Sequence, residues 1–222
     1  MQIFKLWDLP VRLFHWLLVL ALGALWYTGE TGDYMEWHMH IGVFVLAMIL
    51  ARLVWGVIGS SNARFGAFLD VRGALVHLRK LFKREPEIHP GHNPLGGWMV
   101  LLMLVLLLLQ PLTGLFTTDD IFTEGPLTRF VSSDTAGFLS AWHKRIFLIL
   151  QIAAGLHVLA IVFYLTFKKT NLIRAMVRGS TYWPGPGAPP VLNFRPTWLA
   201  LVVFVVFYTI LRVALYLLAD WP

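Results

Sequence analysis

Five long apolar stretches alternate with shorter polar segments along the chain. Each has about 18 residues or more with few charges, enough for an α-helix to cross about 30 Å of hydrocarbon. The predicted spans are residues 11–28, 38–58, 94–116, 138–167 and 197–219. The fourth is the longest, so we expect one of its ends to project from the bilayer. The pattern predicts an all-α integral membrane protein.

Two segments outside the spans have patterns of their own. Residues 68–82 carry apolar side chains at helical spacing with basic ones between them, which predicts a helix lying on the cytoplasmic interface. Residues 179–196 are rich in proline and glycine, which predicts an irregular linker before the fifth span. No internal repeat is apparent.

Charged residues alternate in sign from one loop to the next. Acidic residues dominate after the first and third spans, and basic residues after the second and fourth. The basic loop residues include Arg64, Arg72, Arg79, Lys80, Lys83, Arg84, Lys168, Lys169, Arg174, Arg178 and Arg195. The positive-inside rule therefore predicts a cytoplasmic N-terminus and a C-terminus on the outer side of the membrane. The net charge of +6 is therefore a topological signal, and it argues against a nucleic-acid partner.

Composition narrows the class of protein further. Hydrophobic residues make up 58% of the chain and charged residues only 14%, whereas about 25% is charged in soluble domains. The chain has no cysteine. Disulfides, covalently attached c-type haem and cysteine-ligated iron–sulfur clusters or zinc are therefore excluded.

Two histidines, His143 and His157, lie fourteen residues apart in the fourth span. On an α-helix they fall within about 40° of one face and about 21 Å apart along the axis. An intramembrane histidine is costly unless it has a partner, so each predicts a functional site. With this topology His143 lies near the outer side of the membrane and His157 near the inner side.

Other spans offer histidines at the same two depths. His15 lies early in the first span, and His38 and His40 begin the second. They predict an inner pair, His15 with His157, and an outer pair, His38 (or His40) with His143. Two bis-histidine haem b groups need this arrangement. Histidines merely hydrogen-bonded to neighbouring helices are the alternative, while the missing carboxylates make zinc or di-iron sites poor fits.

Four basic residues near these histidines are candidate contacts for haem propionates: Arg12, Arg52, Lys144 and Arg145. Arg52 is the strongest candidate, because a charge that far into a span needs a partner. The other three have an ordinary alternative, which is to extend to the membrane interface. Arg212 in the last span also needs a partner, which the sequence does not identify.

Several motifs together resemble the bacterial cytochrome b561 family, which is related to the b-type cytochrome subunit of membrane-bound nickel–iron hydrogenases. The resemblance covers residues 7–164. Its motifs are WDLPVRLFHW from residue 7, HMHIG from 38, ARLVWG from 51, GHNPLGG from 91, TGLF from 113 and the H-x13-H helix.

The resemblance implies a four-helix haem-binding bundle in the bacterial inner membrane. Position by position, the family's haem ligands fall on His15, His143 and His157, while its H-x-x-x-G pattern fits His38 and leaves His40 in reserve. The implied haem domain is residues 1–178, followed by the linker of residues 179–196. Residues 197–222, with a fifth helix, are an addition to the family pattern.

The predicted function is electron transfer between a periplasmic donor and membrane quinone. The donor is a c-type cytochrome, a partner dehydrogenase or hydrogenase, or superoxide. Imidazoles of the HPGH segment, residues 89–92, are candidates for proton transfer to quinone, although a polar loop explains them too. The alternatives are a non-catalytic anchor subunit of a larger respiratory complex and, from another class, a proton-coupled transporter that uses intramembrane histidines.

Overall fold

The computed structural model describes residues 2–80, 91–119, 121, 123–183 and 187–221. Its helices are α1 (Leu9–Thr31), α2 (Met35–Ile58), α3 (Val71–Lys80), α4 (Pro94–Gly114), α5 (Ser133–Thr166), α6 (Leu172–Arg178) and α7 (Thr197–Ala219). Two strands, β1 (Gln2–Lys5) and β2 (Ser180–Trp183), complete the regular structure. Helices α1, α2, α4, α5 and α7 are long and apolar enough to cross a membrane. The prediction of a helical, multi-pass membrane protein is confirmed.

The helix boundaries differ from the predicted spans mainly at polar ends. Helix α5 has 34 residues, or about 51 Å at 1.5 Å per residue, so it exceeds the hydrocarbon thickness as predicted. Helix α3 lies within the predicted amphipathic segment, whose residues 81–82 fall outside the described part of the chain. The sequence analysis did not predict α6, a seven-residue helix capped by Asn171, whose side chain accepts a hydrogen bond from Arg174 N.

A small antiparallel sheet corrects the all-α prediction and the prediction of a wholly irregular linker. Strand β1 pairs with β2 from Gln2 opposite Trp183 to Lys5 opposite Ser180. Gly179, with a φ of +75°, ends α6 before β2, and its carbonyl accepts hydrogen bonds from Leu6 N and Trp7 N. Local sequence pattern missed the sheet because each strand has only four residues and its partner strand lies more than 170 residues away in the chain.

The chain divides into two compact units. The first unit comprises Met1–Leu13, Leu53–Met103 and Ile152–Ala200, and the second comprises Phe14–Arg52, Leu104–Gln151 and Leu201–Pro222. The first unit has a buried core formed by Phe4, Leu6, Trp7, Val11, Trp55, Ala63 and Ala175. Neither unit follows the predicted domain boundaries, which remain a prediction.

Asp8 fixes the start of α1 in the first unit. Its Oδ1 accepts a hydrogen bond from Val11 N at 2.9 Å, the geometry of an N-cap. Its Oδ2 accepts one from Trp55 Nε1, also at 2.9 Å. Asp8 is only 4% exposed, so its carboxyl group satisfies two buried donors and ties the end of α2 to the start of α1.

The segment before α7 is also attached within the first unit. Ser61 N donates to the Asn193 carbonyl at 3.0 Å, and Asn193 N donates to Ser61 Oγ at 3.0 Å. Arg195 N donates to Ser60 Oγ at 3.0 Å. These bonds hold the proline-rich segment against the turn after α2, although most of it has no regular structure.

In the second unit, α7 packs against α2. Phe44 contacts the rings of Phe204 and Tyr208, with centroids 5.4 and 6.3 Å away. One turn before Phe44, His40 Nδ1 lies 2.8 Å from Arg212 Nη1. The structure thus supplies the partner of Arg212 that the sequence did not identify.

Candidate functional site

Two of the predicted ligands, His38 and His143, lie side by side in the second unit. His38 is in the first turn of α2, and His143 is on α5. Their ring centroids are 6.5 Å apart, with the ring planes inclined at 69°. Both side chains are half-buried. The second and fourth predicted spans therefore contribute one imidazole each to a single location.

The end of α1 orients the His38 ring. Thr28 Oγ1 lies 2.9 Å from His38 Nδ1. The same hydroxyl donates its proton to the Ala24 carbonyl at 2.9 Å, so its oxygen accepts from Nδ1–H. The Leu25 backbone also hydrogen-bonds this imidazole. A Cβ on Gly29 would lie 3.2 Å from the Cε1 of His38, so this glycine allows the close approach of the ring.

The end of α4 orients the His143 ring in the same way. His143 Nδ1 lies 2.9 Å from the Gln110 carbonyl oxygen and 3.2 Å from Thr113 Oγ1. A carbonyl only accepts hydrogen bonds, so the proton of this imidazole is on Nδ1. A Cβ on Gly114 would lie 2.9 Å from the Cε1 of His143.

The Nε2 atom of His143 is an acceptor. The side-chain Nε2 of Gln110 lies 3.1 Å from it and donates a hydrogen bond to its lone pair. The Oε1 of Gln110 is buried with no hydrogen-bond partner among the described residues. Each histidine of the pair thus has its Nδ1 proton directed at a protein acceptor, so its Nε2 carries a lone pair, the form of imidazole that binds metals.

The model of the prokaryotic cytochrome b561 family matches residues 6–179. The chain belongs to the prokaryotic cytochrome b561 family. The predicted resemblance is confirmed, and the matched residues contain every predicted histidine ligand but not α7. Comparisons with curated proteins and with solved structures give no match.

A cytochrome b561 is a b-type cytochrome that binds haem b and takes part in electron transfer. His38 and His143 are the residues that would hold such a group. Their ring centroids are 6.5 Å apart, which would leave room for one metal ion about 2 Å from a nitrogen of each ring. Gln110 would have to release His143 Nε2 when that nitrogen takes iron. Haem b supplies one-electron redox chemistry at its iron.

The donor set does not suit other metal sites. Among the described residues, no group of three or more His, Cys, Asp or Glu side chains could hold a metal ion. Structural zinc takes four protein ligands and catalytic zinc three, whereas a porphyrin leaves only two axial positions for the protein. A pair of imidazoles on facing helices therefore favours haem.

The two residues of the other predicted pair, His15 and His157, belong to different units. His15 belongs to the second unit, and its ring lies edge-on to that of Trp16, with centroids 4.9 Å apart. His157 belongs to the first unit and is half-buried on α5. The pairing of His15 with His157 stays a prediction.

His40, the reserve ligand, is turned toward α7. Besides the Arg212 bond, its Nε2 lies 3.7 Å from Glu36 Oε1 and its ring lies 4.5 Å from that of Trp221. An arginine only donates, so His40 Nδ1 accepts this bond and carries no proton. These contacts give His40 a role in holding α7.

The four candidate propionate contacts differ in their surroundings. The Arg12 guanidinium donates to the carbonyls of Met176 and Val177, at the end of α6. Arg52 is 5% exposed and remains the strongest candidate. Lys144 and Arg145 are exposed on α5, and Arg145 lies over the Trp142 ring at 5.5 Å.

Sequence reasoning assigned no contact with a histidine to Thr28, Thr113 or Gln110, although Thr113 is part of the TGLF motif. Gln110 is a lone amide in a long apolar run, and a Thr-Gly dipeptide occurs near the end of both the first and third predicted spans. These two features were the only indications of the contacts in the sequence. They could not be assigned to the histidines because the contacts connect different helices.

Proposed function

We propose that the chain is a diheme b-type cytochrome that passes electrons between a periplasmic donor and the membrane quinone pool. The observation that carries the proposal is the His38–His143 pair, with ring centroids 6.5 Å apart and each Nδ1 held by protein oxygen atoms. This pair would hold the outer haem. It lies in a chain of the cytochrome b561 family.

The second haem would be held by His15 and His157. The support is that α5 is one continuous helix that carries both His143 and His157, and that fourteen residues bring a side chain back to nearly the same face. Arg52, buried on α2, would neutralise a propionate of this inner haem.

Charge suggests where the electron donor docks. If the basic loops are cytoplasmic, the outer haem lies near the periplasmic surface. Lys144 and Arg145 are exposed beside His143, so they would attract an anionic or acidic-faced donor. Neutralising both should slow reduction by such a donor and flatten its salt dependence, whereas unchanged kinetics would contradict this docking site.

Four helices, α1, α2, α4 and α5, would form the haem core, with α7 as an added fifth span. The family match ends at residue 179, before α7 begins. The Arg212–His40 bond and the Phe44 ring contacts attach α7 to α2. Helix α7 would therefore cover one side of the helix that carries His38.

A cavity in the first unit is the candidate site of proton transfer to quinone. It has a volume of about 180 Å³ and is lined by Asn62, Ala67, Phe68, Asp70, Gly91, His92 and Pro94. The His92 ring lies 4.6 Å from that of Trp7 and 4.8 Å from that of Phe68. His89 lies outside the described residues. A His89→Ala, His92→Ala variant that kept full quinone reductase activity would refute this role.

The decisive experiment is a reduced-minus-oxidised visible spectrum with a pyridine haemochrome count on the purified chain. Two b-type haems per chain are expected, and His15→Ala and His38→Ala should each leave one. A colourless protein that is folded would refute the cytochrome proposal and favour the proton-coupled transporter. A single haem in the unmodified chain would refute the diheme form.

A further inference from the structure

The two histidines of the outer pair meet the same arrangement of groups on two different helices. In each case a threonine hydroxyl lies close to the imidazole Nδ1, the backbone three residues before the threonine hydrogen-bonds the same ring, and the glycine after the threonine lies against Cε1. The two sets are Leu25, Thr28 and Gly29 on α1, and Gln110, Thr113 and Gly114 on α4.

The internal bonds of the two sets also match. Thr28 Oγ1 lies 2.9 Å from the Ala24 carbonyl and 3.2 Å from the Leu25 carbonyl. Thr113 Oγ1 lies 2.9 Å from both the Leu109 and the Gln110 carbonyls. Each hydroxyl proton is thus held by its own helix, which turns the oxygen lone pairs toward the histidine.

Both sets lie in the last two turns of their helices, where the helix dipole adds negative potential. At His143 the Gln110 carbonyl and the Thr113 hydroxyl oxygen both lie within hydrogen-bond distance of Nδ1, and at His38 the Thr28 hydroxyl oxygen does, so each ring keeps its proton on Nδ1. The glycine removes the Cβ that would otherwise push the ring away. The arrangement therefore fixes both the tautomer and the position of each ring.

We propose that these two Thr-Gly clamps, Thr28–Gly29 and Thr113–Gly114, position the axial histidines of the outer haem and lower its reduction potential. The inference rests on the proposed function. A hydrogen bond from Nδ1–H makes an imidazole a more basic ligand, and a more basic ligand stabilises ferric over ferrous iron, one of the ways a protein tunes a haem.

The hydroxyl contribution is tested by a Thr28→Val, Thr113→Val double variant. The outer haem should shift to a more positive midpoint potential in a spectroscopic redox titration, while the inner haem keeps its potential. Thr→Ser at both positions should restore the original value, because serine keeps the hydroxyl. Thr31→Val is the matched control, since the Thr31 hydroxyl bonds the Tyr27 carbonyl and Asp33 N instead of a histidine.

The glycine contribution is tested by the electron paramagnetic resonance spectrum of the ferric outer haem, which reports the orientation of its axial rings. Gly114→Ala should change the signal more than Gly29→Ala, because the new Cβ would lie 2.9 Å from the His143 ring and 3.2 Å from the His38 ring. Gly137→Ala should leave it unchanged, since nothing lies within 4 Å of a Cβ there.

The outcomes separate this inference from the proposed function. Absence of haem from the unmodified chain refutes the proposed function. Two haems with an unchanged outer potential in the double valine variant refute the clamps alone. Loss of the outer haem in the valine variant supports the clamps if the serine variant retains it, and contradicts them if the serine variant loses it as well.

Discussion

Replacing Asp8 with alanine should destabilise the chain through two separate hydrogen bonds. One is the N-cap bond from Val11 N, at 2.9 Å, which satisfies a donor in the first turn of α1. The other comes from Trp55 Nε1, also at 2.9 Å. Trp55 is 3% exposed, so water cannot replace the carboxyl oxygen at this position.

The magnitude follows from adding the two effects. Loss of an N-cap costs about 1 kcal/mol, and leaving a buried donor such as the Trp55 indole without its acceptor costs about 1–3 kcal/mol. The expected loss of stability is about 2–4 kcal/mol, which for a chain of this size lowers the melting temperature by roughly 4–16 °C. Asp8→Asn keeps one acceptor oxygen and should lose about half as much.

The assay is the apparent melting temperature in one detergent at one scan rate, because membrane proteins often unfold irreversibly. Trp55→Phe removes the indole donor, so Asp8→Ala should cost less on that background than on the unmodified chain. The reasoning would be refuted if Asp8→Ala lowered the melting temperature by less than about 2 °C, or if it lowered it equally in the unmodified chain and in Trp55→Phe.

Three further predictions concern other parts of the molecule. His40→Ala should keep both haems while His38→Ala loses one, as counted by pyridine haemochrome; haem loss in His40→Ala instead would reverse the ligand assignment. Tyr164→Phe removes the hydroxyl that His77 Nε2 and Asn93 Nδ2 contact at 2.9 and 2.7 Å. It should lower the free energy of unfolding by about 1–3 kcal/mol, and an unchanged melting temperature would contradict this. Gly97→Ala should be strongly destabilising because its Cβ would lie 2.5 Å from a backbone oxygen, whereas Gly66→Ala meets nothing within 4 Å and serves as the control; equal melting temperatures for the two would refute this packing.

The sequence determined the five spans and the family. In hydrocarbon every backbone group must bond within its own segment, so an apolar stretch of sufficient length is a helix whatever surrounds it. Once the fourth span is known to be a helix, the spacing of His143 and His157 places them on nearly the same face, because the rise and rotation between two helical residues depend only on how many residues separate them. The motifs of the first four spans identified the family because each is a short run of neighbouring residues that can be read without knowing the tertiary structure.

Tertiary structure decided which side chains meet across helices. His38 and His40 are two residues apart, yet one faces His143 and the other Arg212. The β1–β2 sheet and the Thr-Gly contacts likewise join residues far apart in the chain or on different helices. Such contacts depend on how each helix is rotated about its axis, and that rotation is set by packing against neighbouring helices rather than by the period of any one of them.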